Sequence, residues 1–478
     1  MVEFERHRPP HPTLAAATLA TEVLETCFDQ QPGERRTGTP PPARAQHVRG
    51  VEPEARDPRC QSPWFDPGRT PSSRITPATE TDRLTAAAIS ASEQYRSGLP
   101  AHAPPWEVEA RDQRCGDERS RSFRLEERTA RPAPRNVEVG AAATIASMRD
   151  LRTLPKAELH VHLEGAMRIE TVSELVQRNG VEAPSGLESD GWRFDGFLDF
   201  IDQYIAVCDL MTEVDDFQRL GLEVAEDLAA TGVRYAEAVF TPAAHAAAFG
   251  DDWTSPLEAL LDGLAAGARE HGTVVRITPD VVRDLGIGAA EKTLEVALRF
   301  ADAGVVGLNC AGSERSEIAP FAKVFRAAKD AGLRSVPHAG EWAGPENVWR
   351  TLEHFLPDRI GHGVRSIDDP RLVERLADDG IPLEVAPISN VATGVYASLQ
   401  EHPFLRLRDA GVIVTLNSDD PPMFGAWLTD VYEAARSAWH LSDDDLASIA
   451  RQGVRASFAD DRTKAEIERD IDSWLHLP

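Results

Sequence analysis

From residue 154 onward the sequence predicts an α/β fold: a (β/α)8 TIM barrel with extra helices after the first strand and at the C-terminus, preceded by a disordered N-terminal segment. Three observations carry this expectation. Short apolar runs alternate with amphipathic helical patterns, eight runs over roughly 300 residues, which is the strand count of such a barrel. No GxGxxG follows any of these runs, as a doubly wound dinucleotide-binding sheet would carry. Polar residues interrupt the runs at their C-terminal ends, where barrels of this kind place their working groups.

The first run, Glu158–Leu163, alternates faces with period two, so His160 and His162 share one side while Leu159, Val161 and Leu163 take the other. The segment from Trp192 to Met211 holds Phe194, Phe197, Leu198, Phe200, Ile201, Tyr204 and Ile205, and reads as helices inserted after that strand. Capping of the barrel mouth and ordinary packing both fit it. Further strands are expected at Val233–Phe240, Val274–Val281, Val305–Asn309, Arg334–Pro337, Arg359–Gly361, Pro382–Ala386 and Val412–Leu416. Helical periodicity lies between them, for example at Glu291–Asp302, Ala319–Ala331, Asn347–Phe355 and Asp369–Asp379.

The chain changes character near residue 148. Residues 1–150 hold 18 of the 34 prolines, 21 arginines, no lysine and 22 acidic residues, so this part is nearly neutral and the rest carries almost all of the net charge of −27. Such a composition cannot bury enough apolar surface to fold, so residues 1–147 are expected to be a disordered Pro/Arg-rich extension, with one short helix over Thr13–Phe28. Two readings stand: a regulatory extension, or a segment outside the natural protein, with Met148 as the natural start. The second is preferred. Residues 148–478 are the expected barrel domain.

Composition narrows the function. The acidic balance argues against nucleic acid and anionic membrane as partners, since both demand a basic face. No run approaches the roughly 20 apolar residues that span a bilayer, and Leu14–Leu24 is broken by threonine and glutamate, so a cytoplasmic location is expected. The five cysteines (Cys27, Cys60, Cys115, Cys208, Cys310) form no CxxC pair, which speaks against a disulfide framework and thiolate metal ligation. A soluble enzyme acting on a small molecule fits best.

The strand ends supply the chemistry. The first ends in His160 and His162, the fifth in His338-Ala339-Gly340-Glu341, the sixth in Gly361-His362-Gly363, and the eighth in Asn417-Ser418-Asp419-Asp420-Pro421. Taken singly, each histidine is as well explained as a hydrogen-bonded core residue. Together, four strand ends of one barrel offer four histidines and three carboxylates, the donor set of a divalent metal with acid–base partners.

These motifs carry a resemblance. The region from about 150 to 478 resembles the adenosine deaminase family, zinc-dependent purine deaminases of the metal-dependent amidohydrolase superfamily. The matching segments are Lys156-Ala157-Glu158-Leu159-His160-Val161-His162-Leu163-Glu164-Gly165, His338-Ala339-Gly340-Glu341, Arg359-Ile360-Gly361-His362-Gly363 and Ser418-Asp419-Asp420-Pro421. Arg234-Tyr235-Ala236-Glu237, Pro387-Ile388-Ser389-Asn390 and His402-Pro403-Phe404 support them. Residues 1–147 have no counterpart in this resemblance.

Carried over residue by residue, the resemblance implies one Zn2+ held by His160, His162, His338 and Asp419, with a bound water made acidic enough to ionise near pH ~7. It implies that His362 takes or orients that water's proton and that Glu341 donates a proton to purine nitrogen 1, making carbon 6 electrophilic. Asp420 is implied at nitrogen 7, the backbone N–H of Gly312 at nitrogen 3, and His162 and Glu164 beside the substrate. Asp420 must be protonated to donate, which burial and the neighbouring Asp419 favour. The fourth strand, Val305-Val306-Gly307-Leu308-Asn309-Cys310, lacks the lysine that bridges two metals in other hydrolases on this fold, so one metal is expected. The PCxxC of cytidine-type zinc deaminases does not occur.

The implied reaction is zinc-dependent hydrolytic deamination of adenosine and 2′-deoxyadenosine to the inosine product plus ammonia. Adenine deamination, or deamination of another 6-aminopurine nucleoside, is the alternative, and a catalytically silent binding relative is the remote one. Three departures from the family pattern bear on that choice: Asn309-Cys310-Ala311-Gly312-Ser313-Glu314 after the fourth strand, Ala386 in place of a cysteine, and Glu164 where true adenosine deaminases carry aspartate. The longer Glu164 side chain suits either a nucleoside with a displaced or altered sugar or a pocket closed around free adenine.

Overall fold

Lys156–His162 form β1, seven residues that are all buried. The computed structural model describes residues 148–189 and 191–476. Seven more strands follow: β2 (Val233–Phe240), β3 (Val274–Val282), β4 (Gly307–Ala311), β5 (Arg334–Ala339), β6 (Ile360–His362), β7 (Leu383–Val385) and β8 (Val414–Leu416). Neighbours in this order pair in parallel from β1 through β8. Parallel strands with helices outside and packed side chains inside are buried on both faces, which is why they read as apolar runs.

The seam between β8 and β1 is made by Asp419. Its N–H donates to the His160 carbonyl at 3.0 Å and its carbonyl accepts from the His162 N–H at 2.8 Å. The barrel therefore closes through one of the residues read as a metal ligand.

Longer helices alternate with the strands: α1 (Ile169–Asn179), α2 (Phe197–Cys208) and α3 (Val214–Ala230) before β2, then α4 (Ser255–His271), α5 (Gly286–Arg299), α6 (Ala322–Asp330), α7 (Pro345–Phe355) and α8 (Pro370–Asp379). After β8 come α9 (Leu428–Trp439), α10 (Asp443–Ala456) and α11 (Asp461–His476), the expected C-terminal helices. Helix α10 lies against β1 and β8 and covers the seam, burying Leu446, Ala450 and Val454. Its start is fixed by a capping box, in which Ser442 Oγ accepts from the Asp445 N–H. Among the described residues no helix is long and apolar enough to cross a membrane.

Differences from the sequence reading have local causes. Strand β4 begins at Gly307, not Val305, because Val305 touches Ile277 only through an isolated bridge; its apolar side chain marks burial, not ladder pairing. Strand β5 runs on through His338 and Ala339, which pair with Gly361 and His362, so imidazoles that looked like a strand end belong to the ladder. A two-residue antiparallel ladder, Leu187–Glu188 with Gly191–Trp192, precedes α2 and was not expected. The segment Thr13–Phe28, the extension 1–147 as a whole, and Cys27, Cys60 and Cys115 lie outside the described residues. Cys208 and Cys310 are free and buried.

Candidate active site

The strand ends bring six predicted residues to one point. His160 and His162 arrive on β1, His338 on β5, His362 on β6, Glu341 from the turn after β5 and Asp419 from the seam. His162 Nε2 lies 3.3 Å from His338 Nε2. Asp419 Oδ1 lies 3.4 Å from His160 Nε2 and 3.5 Å from His162 Nε2. His362 Nε2 stands 3.9 Å from Asp419 Oδ2 and 3.7 Å from Glu341 Oε2. His160 Nε2 is buried without a hydrogen-bond partner, although its ring is surrounded by those of His162, His338 and His362.

The backbone is bent to achieve this. His362 and Asp419 adopt φ of 58° and 68°, left-handed values that cost a residue with a side chain on the order of 1–3 kcal/mol. Gly361 makes room for His160: a Cβ there would sit 2.9 Å from the imidazole Cε1.

A second set of polar groups fixes the imidazoles, and most of it escaped the sequence reading. The Nδ1–H of His160 donates to Glu384 Oε2 at 2.9 Å, and that of His338 to Asn309 Oδ1 at 2.9 Å, so each ring turns Nε2 toward the cluster. Glu384 also accepts from Arg359, which reaches on to Glu237; all three are buried. Glu158 accepts from the N–H and Oγ of Ser418, 3.1 and 2.9 Å away, and anchors the loop that carries Asp419 and Asp420. Glu314 accepts from the N–H groups of Glu341, Trp342 and Ala343 and so orders the turn that presents Glu341. The Asn390 amide lies 3.3 Å from His362 Nδ1 and 3.5 Å from Glu341 Oε1. A charged residue inside the apolar run Pro382–Ala386 is the signal that could have found Glu384.

Protonation follows from burial and charge. Burial lowers His162 to about 4 and His362 to about 3, and burial with the surrounding imidazoles pushes His338 well below its ordinary value, so these rings stay neutral. Burial works against charge on His160 too, but the neighbouring carboxylates of Asp419 and Glu384 outweigh it and raise the ring to about 10. Burial also opposes ionisation of Asp419, yet His362, His160 and His162 hold it well below the usual carboxylate range. Burial, reinforced by Asp419, drives Glu341 and Asp420 well above that range.

The remaining predicted residues sit around this cluster. Asp420 follows Asp419 with its Oδ1 buried and without a partner, lying where a Cβ on Gly165 would come within 1.8 Å. Gly312 follows β4 with φ 87°, and Arg283 links its carbonyl to that of His338. Glu164 is fully buried and already engaged: Oε1 accepts from the Thr241 N–H at 2.8 Å and from His245 Nε2 at 3.3 Å, and Oε2 from the Tyr204 hydroxyl at 3.2 Å. Tyr204 belongs to α2, and its ring meets His162 edge-on, so the inserted helix reaches the cluster. Phe197 of the same helix packs on Trp342, the residue after Glu341.

Residues 155–474 match the family model described as adenosine deaminase. An aminodeoxyfutalosine deaminase from Streptomyces coelicolor is 42% identical over 327 residues, covering 67% of this chain and 84% of that protein. An adenine deaminase from Sinorhizobium medicae is 38% identical over 315 residues, covering 66% of this chain and 97% of that protein. Among solved structures, an amidohydrolase from Burkhoderia ambifaria with bound zinc aligns with a TM-score of 0.60 at 26% identity, over 71% of this chain and 98% of that one.

Proposed function

The chain belongs to the adenosine deaminase family of hydrolases, within the amidohydrolase superfamily, and we propose that it hydrolyses the exocyclic amine of a 6-aminopurine nucleoside and releases ammonia. Adenosine, giving inosine, is the reference substrate, together with 2′-deoxyadenosine. Aminodeoxyfutalosine enters beside them through the 42% identical relative.

The observation that carries the reading is the spacing of the cluster. Four ligands arranged tetrahedrally at about 2.0–2.1 Å from a zinc ion stand about 3.3–3.4 Å apart. The edges measured between His162 and His338, His160 and Asp419, and His162 and Asp419 are 3.3, 3.4 and 3.5 Å. The buried, unpartnered Nε2 of His160 and the preference for positive charge at that ring fit a divalent cation held by His160, His162, His338 and Asp419. When bound, zinc supplies Lewis acidity that lets water ionise near pH ~7.

The chain's own residues do the rest. Burial favours the protonated form of Glu341, which donates its proton to purine nitrogen 1. His362, neutral and aimed between Asp419 and Glu341, orients or takes a proton of the attacking water. Asp420, also protonated, donates to nitrogen 7, and the Gly312 N–H to nitrogen 3. Water adds at carbon 6 and ammonia departs.

A second reading, deamination of free adenine, is favoured by Glu164. Both of its oxygens already accept from protein donors, so the side chain fills space beside the cluster and is held by Thr241, His245 and Tyr204. Measuring kcat/KM for adenosine, aminodeoxyfutalosine and adenine on one preparation decides between the two. A value for adenine above both nucleosides overturns the nucleoside reading and leaves the deaminase chemistry in place.

Two substitutions probe the supporting structure. Gly165→Ala pushes a methyl group into the Asp420 carboxyl, so kcat/KM should fall by about 10²-fold with metal content unchanged, the scale of a ~1 Å misplacement. Glu384→Gln removes the charged partner of His160 Nδ1, so metal affinity measured by competition with a chelator should weaken by about 10–100-fold.

A further inference from the structure

One buried carboxylate near the cluster has no task in this scheme. Asp280 lies two residues before the end of β3 and is 3% exposed. Its Cα is in register with Asn309 on β4, and register partners on parallel strands present their side chains to the same side of the sheet. Asn309 binds His338 from that side, so Asp280 faces the barrel interior at the strand end, where substrates are met. Its Oδ1 is buried and has no hydrogen-bond partner. Buried polar atoms are rarely left so unless a ligand or water completes them. Burial and the charge of Glu164 oppose its ionised form, which Arg283 and the Ala311 N–H favour.

The proposed binding mode shows what would reach it. Around the perimeter of the purine in that mode, nitrogen 3 faces Gly312 after β4, nitrogen 1 faces Glu341 after β5, carbon 6 faces the water oriented by His362 of β6, and nitrogen 7 faces Asp420 after β8. Nitrogen 9 then faces the ends of β1, β2 and β3, where Glu164, Thr241 and Asp280 stand. Glu164 is occupied by Thr241, His245 and Tyr204, whereas Asp280 keeps an open acceptor. Resting on the nucleoside reading above, we infer that Asp280 is a specificity-determining contact that accepts a hydrogen bond from a sugar hydroxyl carried on nitrogen 9.

The test compares the metal-replete wild type with Asp280→Ala and Asp280→Asn on adenosine, its 2′-, 3′- and 5′-deoxy analogues, and adenine. Loss of a hydrogen bond to the buried Asp280 carboxyl should lower kcat/KM for adenosine by about 10–100-fold in Asp280→Ala, mostly through KM. The loss should shrink below about threefold for the one analogue that lacks the contacted hydroxyl, because wild type and variant then both lack the bond. Asp280→Asn, which keeps a carbonyl acceptor and the shape of the side chain, should fall between the two. An equal loss on every substrate, adenine included, would mean a purely structural role and overturn the inference; so would an unchanged rate on adenosine. A wild type that deaminates adenine but no nucleoside overturns the nucleoside reading and this inference together, and it does so before any variant is compared.

Discussion

Asp419→Ala is expected to leave the chain without bound metal and to lower kcat/KM for adenosine by about 10⁴-fold or more, since a Lewis acid contributes several kcal/mol to such a barrier. Asp419 is placed at the centre of the cluster, within 3.5 Å of two imidazoles, and its carboxylate is the negatively charged member of the proposed ligand set. Its backbone also closes the barrel with φ at 68°, which alanine tolerates poorly. Asp419→Asn separates the two effects, because asparagine accepts the left-handed conformation while losing the charge. Both variants should be metal-poor by elemental analysis, and Asp419→Ala should melt lower than Asp419→Asn. One metal per chain together with near-normal turnover in either variant would remove Asp419 from the ligand set.

Glu341→Gln is expected to do the opposite: keep the metal and lose about 10²–10⁴-fold in kcat, the usual contribution of a positioned proton donor. The sign of the pH dependence follows from the direction of its shift. Burial raises Glu341 above the ordinary carboxyl range, so the proton-donating form is fully present at and below that range and is lost as pH rises through the raised value. The alkaline fall in wild-type kcat should therefore disappear in Glu341→Gln, whose residual rate should be flat there. A Gln variant with wild-type kcat would assign the acid to another group.

The barrel was legible because its strands are buried on both faces and its helices on one, so two different periods alternate along the chain. The cluster was legible for a related reason: His160, His162, His338, His362 and Asp419 are polar residues at the ends of apolar runs, and topology places all such ends together. What held those residues was harder to see. Glu384 and Asn309 lie inside strands, and each acts only through the face it shares with a histidine on another strand, a pairing that depends on register. Asn390, Glu158 and Glu314 lie in segments that share or depart from the family pattern, but nothing in their spacing showed that they secure His362, Asp419 and Glu341. Strand limits differ by one or two residues at every strand except β2 because apolar character reports burial, and pairing ends where the backbone turns. The occupation of Glu164 by Thr241, His245 and Tyr204 joins residues from three separate elements and had no signature in any one of them.

The central claim is that one divalent metal at His160, His162, His338 and Asp419 drives hydrolytic release of ammonia from a 6-aminopurine. Titrating zinc into metal-stripped full-length protein, while following ammonia release from adenosine, aminodeoxyfutalosine and adenine, tests it most directly. Activity on at least one of the three should rise linearly from near zero and stop at one zinc per chain. Full activity without metal, a break at two metals per chain, or no ammonia from any of the three substrates would contradict it.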